Sequence, residues 1–162
     1  MKNPFVVDKI IAEARRLAAE YRRTTGKSLG VSSEIAKHDA CRLLDLEPCD
    51  PPPGGYDAIG RGPREGQRVQ IKGRVVFDDQ KGNPRIGQFK VDQDWDLVVL
   101  VVMDADFEPC AIYEAEREAV EEALAETAGS NRRKRGAMSV ARFKRIARLA
   151  WSREDGGAAV GG

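Results

Sequence analysis

Apolar residues recur with a helical period at the start of the chain. An Asn3-Pro4 pair can cap and begin a helix, and Gly26 can end it. Between them, apolar positions lie three or four residues apart, at Val7, Ile10, Ala14, Leu17 and Tyr21. The pattern predicts a first helix over residues 4–25.

A second helix is predicted after a short break. Either Ser32 or Ser33 can cap it, and it extends to about Leu46, with a buried stripe at Ala36, Ala40, Leu43 and Leu44. The segment EPCDPPPGGY then places three consecutive prolines before two adjacent glycines, which cannot continue a helix. Residues 48–55 are therefore predicted to be a loop.

Strand patterns dominate the middle of the chain. YDAIG (residues 56–60) and RVQIKGRVVF (68–77) flank a Gly-rich turn and are strand candidates. DLVVLVVMD (96–104) is an apolar run rich in β-branched residues, which is typical of a strand covered on both faces at the centre of a sheet. CAIYEA (110–115) is a further strand candidate.

The last part of the chain returns to helical patterns. EREAVEEALAE (116–126) predicts a helix and NRRKRG (131–136) a basic loop. Ser139 can cap a final helix whose apolar face carries Val140, Phe143, Ile146, Ala147, Ala150 and Trp151. Together the elements predict one mixed α/β layered domain over residues 1–154, with an N-terminal helix over 4–25, a core over 29–126, a basic C-terminal helix within 131–153 and a disordered tail over 155–162.

The composition is that of a globular chain, with 41% apolar and 33% charged residues. No apolar run is long enough to span a bilayer, so no membrane association is expected. Acids and arginines interrupt the first apolar stretch, unlike the uncharged core of a secretory signal, and we expect a cytoplasmic location. The three cysteines form no CxxC pair, so reduced thiols are expected.

The net charge of +1 conceals a strong asymmetry. Residues 104–126 contain nine acids and the single base Arg117, whereas residues 131–153 contain nine bases and no acid. The basic segment begins with Arg132, Arg133, Lys134 and Arg135. It is a candidate anion-binding surface, and the alternative is a solvated helix face that pairs with the acidic segment.

Candidate chemistry lies around the Gly-rich turn. Side chains alternate along a strand, so Gln70 and Lys72 share one face while Val69 and Ile71 share the other. If the strands pair across the turn, Asp57 comes close to Gln70 and Lys72. Carboxylate and amide oxygens suit Mg²⁺, and a lysine beside them can orient or deprotonate an attacking water or stabilise charge developing on phosphorus. The pattern suits phosphodiester hydrolysis; a hairpin with ordinary surface charges is the alternative.

Asp57, followed by a turn and then by Gln70-Ile71-Lys72 on the next strand, resembles the PD-(D/E)XK nuclease superfamily, in the QxK form of its Mrr-like branch. Glu34 in VSSEIAKHDACRLLDLE resembles the helical glutamate that completes the site in many members. The similarity spans roughly residues 29–115. Tyr56 stands where the family motif has proline, and Gln70 supplies one negative charge fewer than glutamate would.

The resemblance implies a three-layer restriction-endonuclease-like fold, in which helices flank a central mixed sheet. It also implies a nuclease that holds Mg²⁺, or Mn²⁺, through Asp57, Gln70 and Glu34, with Lys72 at the attacking water. DNA is the expected substrate, bound by the basic segment and by the strand face that carries Arg68 and Arg74. The alternative is a catalytically inactive module of the same fold that binds nucleic acid or a protein partner. Besides DNA, the candidate partners are another protein and a second copy of the chain.

Overall fold

The computed structural model describes residues 3–77, 84–127 and 137–155. Its helices are α1 (Pro4–Thr25), α2 (Ser32–Leu44), α3 (Arg117–Thr127) and α4 (Val140–Ile146). Its strands are β1 (Leu46–Pro48), β2 (Ala58–Gly60), β3 (Arg68–Val75), β4 (Arg85–Ile86), β5 (Leu97–Met103), β6 (Pro109–Glu116), β7 (Met138–Ser139) and β8 (Arg148–Ser152).

Six strands form one mixed sheet in the order β1-β2-β3-β5-β6-β8, and β4 pairs with β7 in a separate two-stranded sheet. Strands β3 and β5 are parallel, whereas the other neighbours in the large sheet are antiparallel. All seven residues of β5 are buried. The prediction of a central strand covered on both faces is therefore confirmed.

Alternate residues of β5 enter two different hydrophobic clusters. Val99 and Val101 pack in the cluster that contains Ala18 of α1 and Ile35 of α2. On the opposite face, Val98, Leu100 and Val102 pack with Phe89, Trp95, Val120 of α3 and Phe143 of α4. Helices thus flank a mixed sheet, which confirms the α/β class and is compatible with three layers; the restriction-endonuclease-like family stays a prediction.

The first helix begins and ends where the sequence predicts. The Asn3 side chain accepts a hydrogen bond from Phe5 N at 3.0 Å, and Gly26 ends the helix in the left-handed region with φ 73°. The prediction that Ser32 or Ser33 caps α2 is wrong. The capping position is Val31, which offers no side-chain acceptor, and both serines lie inside the first turn.

Four strands were not predicted: β1, β4, β7 and β8. Residues 46–48 form β1 because they pair with β2, even though Pro48 lies in the predicted loop. The final helix ends at Ile146, and Ala150 and Trp151 lie on β8, which pairs with β6. The prediction that the last helix continues toward residue 153 is therefore wrong for residues 148–152, which form β8. The remaining residues of the basic segment, 131–136, lie outside the described residues.

The basic segment does pair with the acidic one. Arg142 Nη2 lies 2.6 Å from Glu126 Oε2, and Arg153 Nη2 lies 2.9 Å from Asp104 Oδ2. Arg148 contacts Glu114, which is 3% exposed and also bonds Arg64. These pairs support the alternative interpretation for residues 142, 148 and 153, whereas Arg132, Arg133, Lys134 and Arg135 lie outside the described residues.

No helix in the described ranges combines the length and the apolar character that a membrane crossing requires. The cytoplasmic location stays a prediction.

Candidate functional site

The large sheet splits beside Asp57. Strand β2 pairs with β3 only through Ala58 and Ile59, opposite Val69 and Arg68, while β3 continues to Val75 along β5. Asp57 lies at the opening of this split. Its N–H donates to the Val69 carbonyl at 2.8 Å, and its own carbonyl accepts from Cys49 N at 2.9 Å. The backbone of Asp57 is therefore fixed between the two neighbouring segments.

The Asp57 carboxylate continues the strand pairing that β2 no longer supplies. Its Oδ2 accepts a hydrogen bond from Ile71 N at 2.8 Å. Its Oδ1 lies 3.7 Å from Lys37 Nζ, and the side chain is 17% exposed. One carboxylate oxygen thus holds the edge of β3, and the other faces a cation at the surface.

That cation lies between two carboxylates. Lys37 Nζ is 3.6 Å from Glu34 Oε1, one turn earlier on α2, as well as 3.7 Å from Asp57 Oδ1. Helix α2 comes this close to the sheet because Gly73 has no side chain: a Cβ there would lie 2.5 Å from Ala36 Cβ. The structure therefore brings Glu34 and Asp57 to opposite sides of one ammonium.

Gln70 is buried, with 2% exposure. Its Nε2 donates to the Gly55 carbonyl at 3.0 Å, and its Oε1 accepts from Lys90 N at 3.4 Å. The side chain therefore ties two irregular segments to β3. Phe89 and Trp95 cover this side of the sheet and keep Gln70 away from solvent. Metal ligation by Gln70 stays a prediction.

Lys72 lies on the same face as Gln70 and is partly buried. Its Nζ donates to the Gln88 carbonyl at 2.7 Å and lies 6.0 Å from the centre of the Phe89 ring. Burial lowers the pKa of this ammonium, and the charges of Lys90 and Lys37 lower it further, while Asp57 opposes the shift. The charges of Asp57, Lys37 and Lys90 thus all act on the Lys72 ammonium.

A groove of about 610 Å³ opens in front of Asp57 and is also lined by Glu34, Lys37 and Cys41. Burial, followed by the charge of Asp57, raises the pKa of the Cys41 thiol to about 12. A thiol with that pKa stays protonated at neutral pH, so cysteine nucleophilic catalysis is not favoured in this groove.

The split offers carboxylate oxygens, a ligand type that Mg²⁺ prefers. Asp57 and Glu34 are hard oxygen ligands, and the Lys37 ammonium between them occupies the place of a cation. Within the described ranges, no three His, Cys, Asp or Glu residues form a group that could hold a metal. A Mg²⁺ ion therefore fits these two carboxylates only if Lys37 moves aside and water or phosphate oxygens complete the shell.

Two of the predicted nucleic-acid contacts are described, and they differ. Arg68 forms a two-point ion pair with Asp96, with Nε–Oδ2 at 3.0 Å and Nη2–Oδ1 at 3.1 Å, so much of its charge is neutralised. Arg74 lines a pocket with Arg22, Ser28 and Ser32, and its buried Nε has no hydrogen-bond partner among the described residues. Of the two, Arg74 is better placed to accept an anion.

Sequence analysis missed Lys37 and Lys90. Lys37 follows Glu34 by three residues, and this helical spacing was a usable signal. Lys90 lies in an irregular segment, where its Nζ donates to the Gly54 carbonyl at 2.9 Å. No periodicity marks such a position.

Comparison with known proteins identifies no family for this chain. The sequence matches no protein-family model, and no curated protein is significantly similar to it. The resemblance to the PD-(D/E)XK superfamily accordingly rests on Asp57, Gln70, Lys72 and Glu34 themselves.

Proposed function

We propose that this chain is a Mg²⁺-dependent DNA nuclease of the PD-(D/E)XK type, with its site at the split between β2 and β3. One observation carries the proposal. A carboxylate that faces the surface, Asp57, acts electrostatically on a partly buried lysine, Lys72, whose pKa is lowered. A lysine whose pKa is perturbed beside a carboxylate is a candidate for catalysis.

Asp57 and Glu34 are the residues that would hold Mg²⁺, with Gln70 as the further ligand that the family resemblance implies. The ion would polarise a phosphodiester oxygen when bound. Lys37 must leave its position between the carboxylates, and its flexible side chain then becomes available to contact a phosphate.

Lys72 supplies the proton chemistry. Because its pKa is lowered, a larger share of its amine is neutral near physiological pH than in an ordinary lysine. The neutral Nζ can accept a proton from the attacking water, and the charged Nζ can stabilise the charge that develops on the phosphoryl oxygens. Lys90 adds positive charge near Lys72, which favours an anionic substrate.

The second candidate is a catalytically inactive module that binds nucleic acid or a protein partner. Gln70 favours it, because both ends of its amide are engaged by backbone groups. Among the described residues, the carboxylates within 4.0 Å of the Lys37 ammonium are those of Glu34 and Asp57, so no third acid stands in for the missing charge at position 70 there.

A DNA cleavage assay distinguishes the two candidates. Supercoiled and linear DNA are incubated with the wild-type chain in Mg²⁺, Mn²⁺ or EDTA. We expect metal-dependent cleavage that Asp57→Asn abolishes and that Asp92→Asn, at an exposed acid in the loop before β5, leaves unchanged. DNA binding without cleavage by the wild-type chain in either metal would favour the inactive module.

A further inference from the structure

Helix α1 carries an apolar stripe that faces solvent. Val6, Ile10, Leu17 and Tyr21 are 52%, 59%, 50% and 39% exposed. At 100° per residue they share one side of the helix. Scattered exposed apolar residues are ordinary, but a continuous stripe along a helix marks an interaction surface.

The opposite side of α1 is already used by the fold. Ala18 and Ala19 are buried, and the Arg15 guanidinium makes two hydrogen bonds to Asp39 of α2, at 3.0 and 2.9 Å. The helix is thus held by its small residues and by an ion pair, while its large apolar residues point away. Core packing among residues 3–77, 84–127 and 137–155 does not explain the stripe.

The stripe has a two-fold spacing. Its residues are separated by four, seven and four positions, which is the same pattern in both directions along the helix. In an antiparallel pair of α1 helices, Ile10 meets Leu17 of the second copy and Val6 meets Tyr21. The two-fold axis passes beside Ala14, whose small side chain permits close approach. A surface that matches itself in this way suits an isologous dimer.

The charges beside the stripe match themselves as well. Lys9, Glu13, Arg16 and Glu20 lie along its solvent side and are all exposed. In the same antiparallel arrangement, Lys9 lies near Glu20 of the second copy and Glu13 near Arg16. Opposite charges therefore meet at each end and beside the axis.

We propose that two copies of this chain associate through α1, as an antiparallel pair related by a two-fold axis. The association does not depend on the proposed nuclease function. It does place the dimer surface beside the site, because Val7 and Ile11, which follow Val6 and Ile10, line the groove that contains Glu34 and Asp57. The two grooves of a dimer would therefore border the same interface.

Sedimentation equilibrium of the full chain tests the proposal. We expect the wild-type mass to rise with concentration from 17.8 kDa toward twice that value. Ile10→Lys should weaken dimerisation by at least about 30-fold, because it places an ammonium in each half of the apolar contact. Val91→Lys, the same type of change at a surface valine that is 36% exposed, should leave it unchanged.

A charge-swap pair tests the orientation of the helices. Glu13→Arg and Arg16→Glu should each weaken self-association by roughly 10-fold, because like charges then meet twice across the axis. An equimolar mixture of the two variants should dimerise within about threefold of wild type, since opposite charges meet again. Effects within a single chain cannot produce that recovery.

Circular dichroism verifies that each variant keeps its helices. A wild-type chain that stays monomeric up to about 100 μM would overturn the proposal, because an obligate or regulated dimer with this contact should form well below that level. Equal dimerisation of Ile10→Lys and wild type, or a mixture no tighter than its components, would overturn it as well.

Discussion

Lys37 is the residue whose removal most sharply tests the metal site. Its ammonium lies 3.6 Å from Glu34 Oε1 and 3.7 Å from Asp57 Oδ1, so a divalent ion that uses these carboxylates must displace it. Lys37→Met removes the charge and keeps most of the side chain's apolar length. We therefore expect the variant to bind Mg²⁺ and Mn²⁺ more tightly than wild type.

The size of the effect follows from the exposure of the partners. A unit charge pair at this separation is worth about 1 kcal/mol in water and about 4 kcal/mol at an effective dielectric constant of 20. Glu34 is 73% exposed, so the energy of its contact with Lys37 lies near the value for water. Asp57 is 17% exposed, so the energy of its contact lies above that value. Lys37 regains solvation when a metal ion displaces it, and this offsets part of the lost attraction. A net displacement cost of about 1–2 kcal/mol corresponds to roughly 5- to 30-fold in the Kd for the metal.

Isothermal titration calorimetry without DNA measures this change. Lys90→Met is the matched control, because it removes a neighbouring charge whose Nζ contacts a carbonyl and, within the part of the chain that the structure describes, no carboxylate. We expect the control to change the Kd by less than about threefold. If Lys37→Met bound metal no more tightly than Lys90→Met, or more weakly than wild type, Lys37 would not occupy a cation position.

Three further predictions concern stability and binding. Gln70→Glu should destabilise the fold by about 1–3 kcal/mol in urea titrations, because a carboxylate cannot donate to the Gly55 carbonyl. An unchanged urea midpoint would refute this contact, and a loss of stability that Mg²⁺ reverses would identify position 70 as a metal ligand. The folded-state pKa of Lys72 is lowered, so between that pKa and 10.5 the unfolded chain binds more protons, and the free energy of unfolding should rise with pH. Lys72→Met should flatten this rise, and equal slopes of stability against pH for the variant and wild type would contradict the lowered pKa. Replacement of the four bases 132–135 by alanine should make the plot of log K against log salt for duplex DNA shallower by about two to four units, and an equal slope would place the phosphate contacts elsewhere.

The helices and central strands could be predicted because their apolar residues follow a clear period. The missed strand β8 shows the limit of that signal. Ala150 and Trp151 continue the helical spacing of α4, but the segment pairs with β6, and this long-range contact decides its conformation. β1 was missed for a similar reason, since Pro48 argues for a loop and only the partner strand makes the segment extended.

The site was predictable where sequence spacing fixes geometry. Asp57 lies beside β3 as the turn between two strands requires, and Lys72 follows Gln70 on one face. The burial of Gln70 was not predictable, because it depends on Phe89 and Trp95, which arrive from a segment without periodic pattern. The same holds for Lys90. Irregular segments contribute to this site through tertiary packing, which leaves no local mark in the sequence.

The most direct test of catalysis at the β2–β3 split is the cleavage rate of Lys72→Met under single-turnover conditions with Mg²⁺. Lys72 would act on the transition state more than on binding, so we expect a rate at least about 10²-fold below wild type, with DNA affinity nearly unchanged. Lys27→Met, at an exposed lysine after α1, should cleave at the wild-type rate. If Lys72→Met cleaved at a near-normal rate while Asp57→Asn was inactive in the same assay, the role proposed for Lys72 would be contradicted.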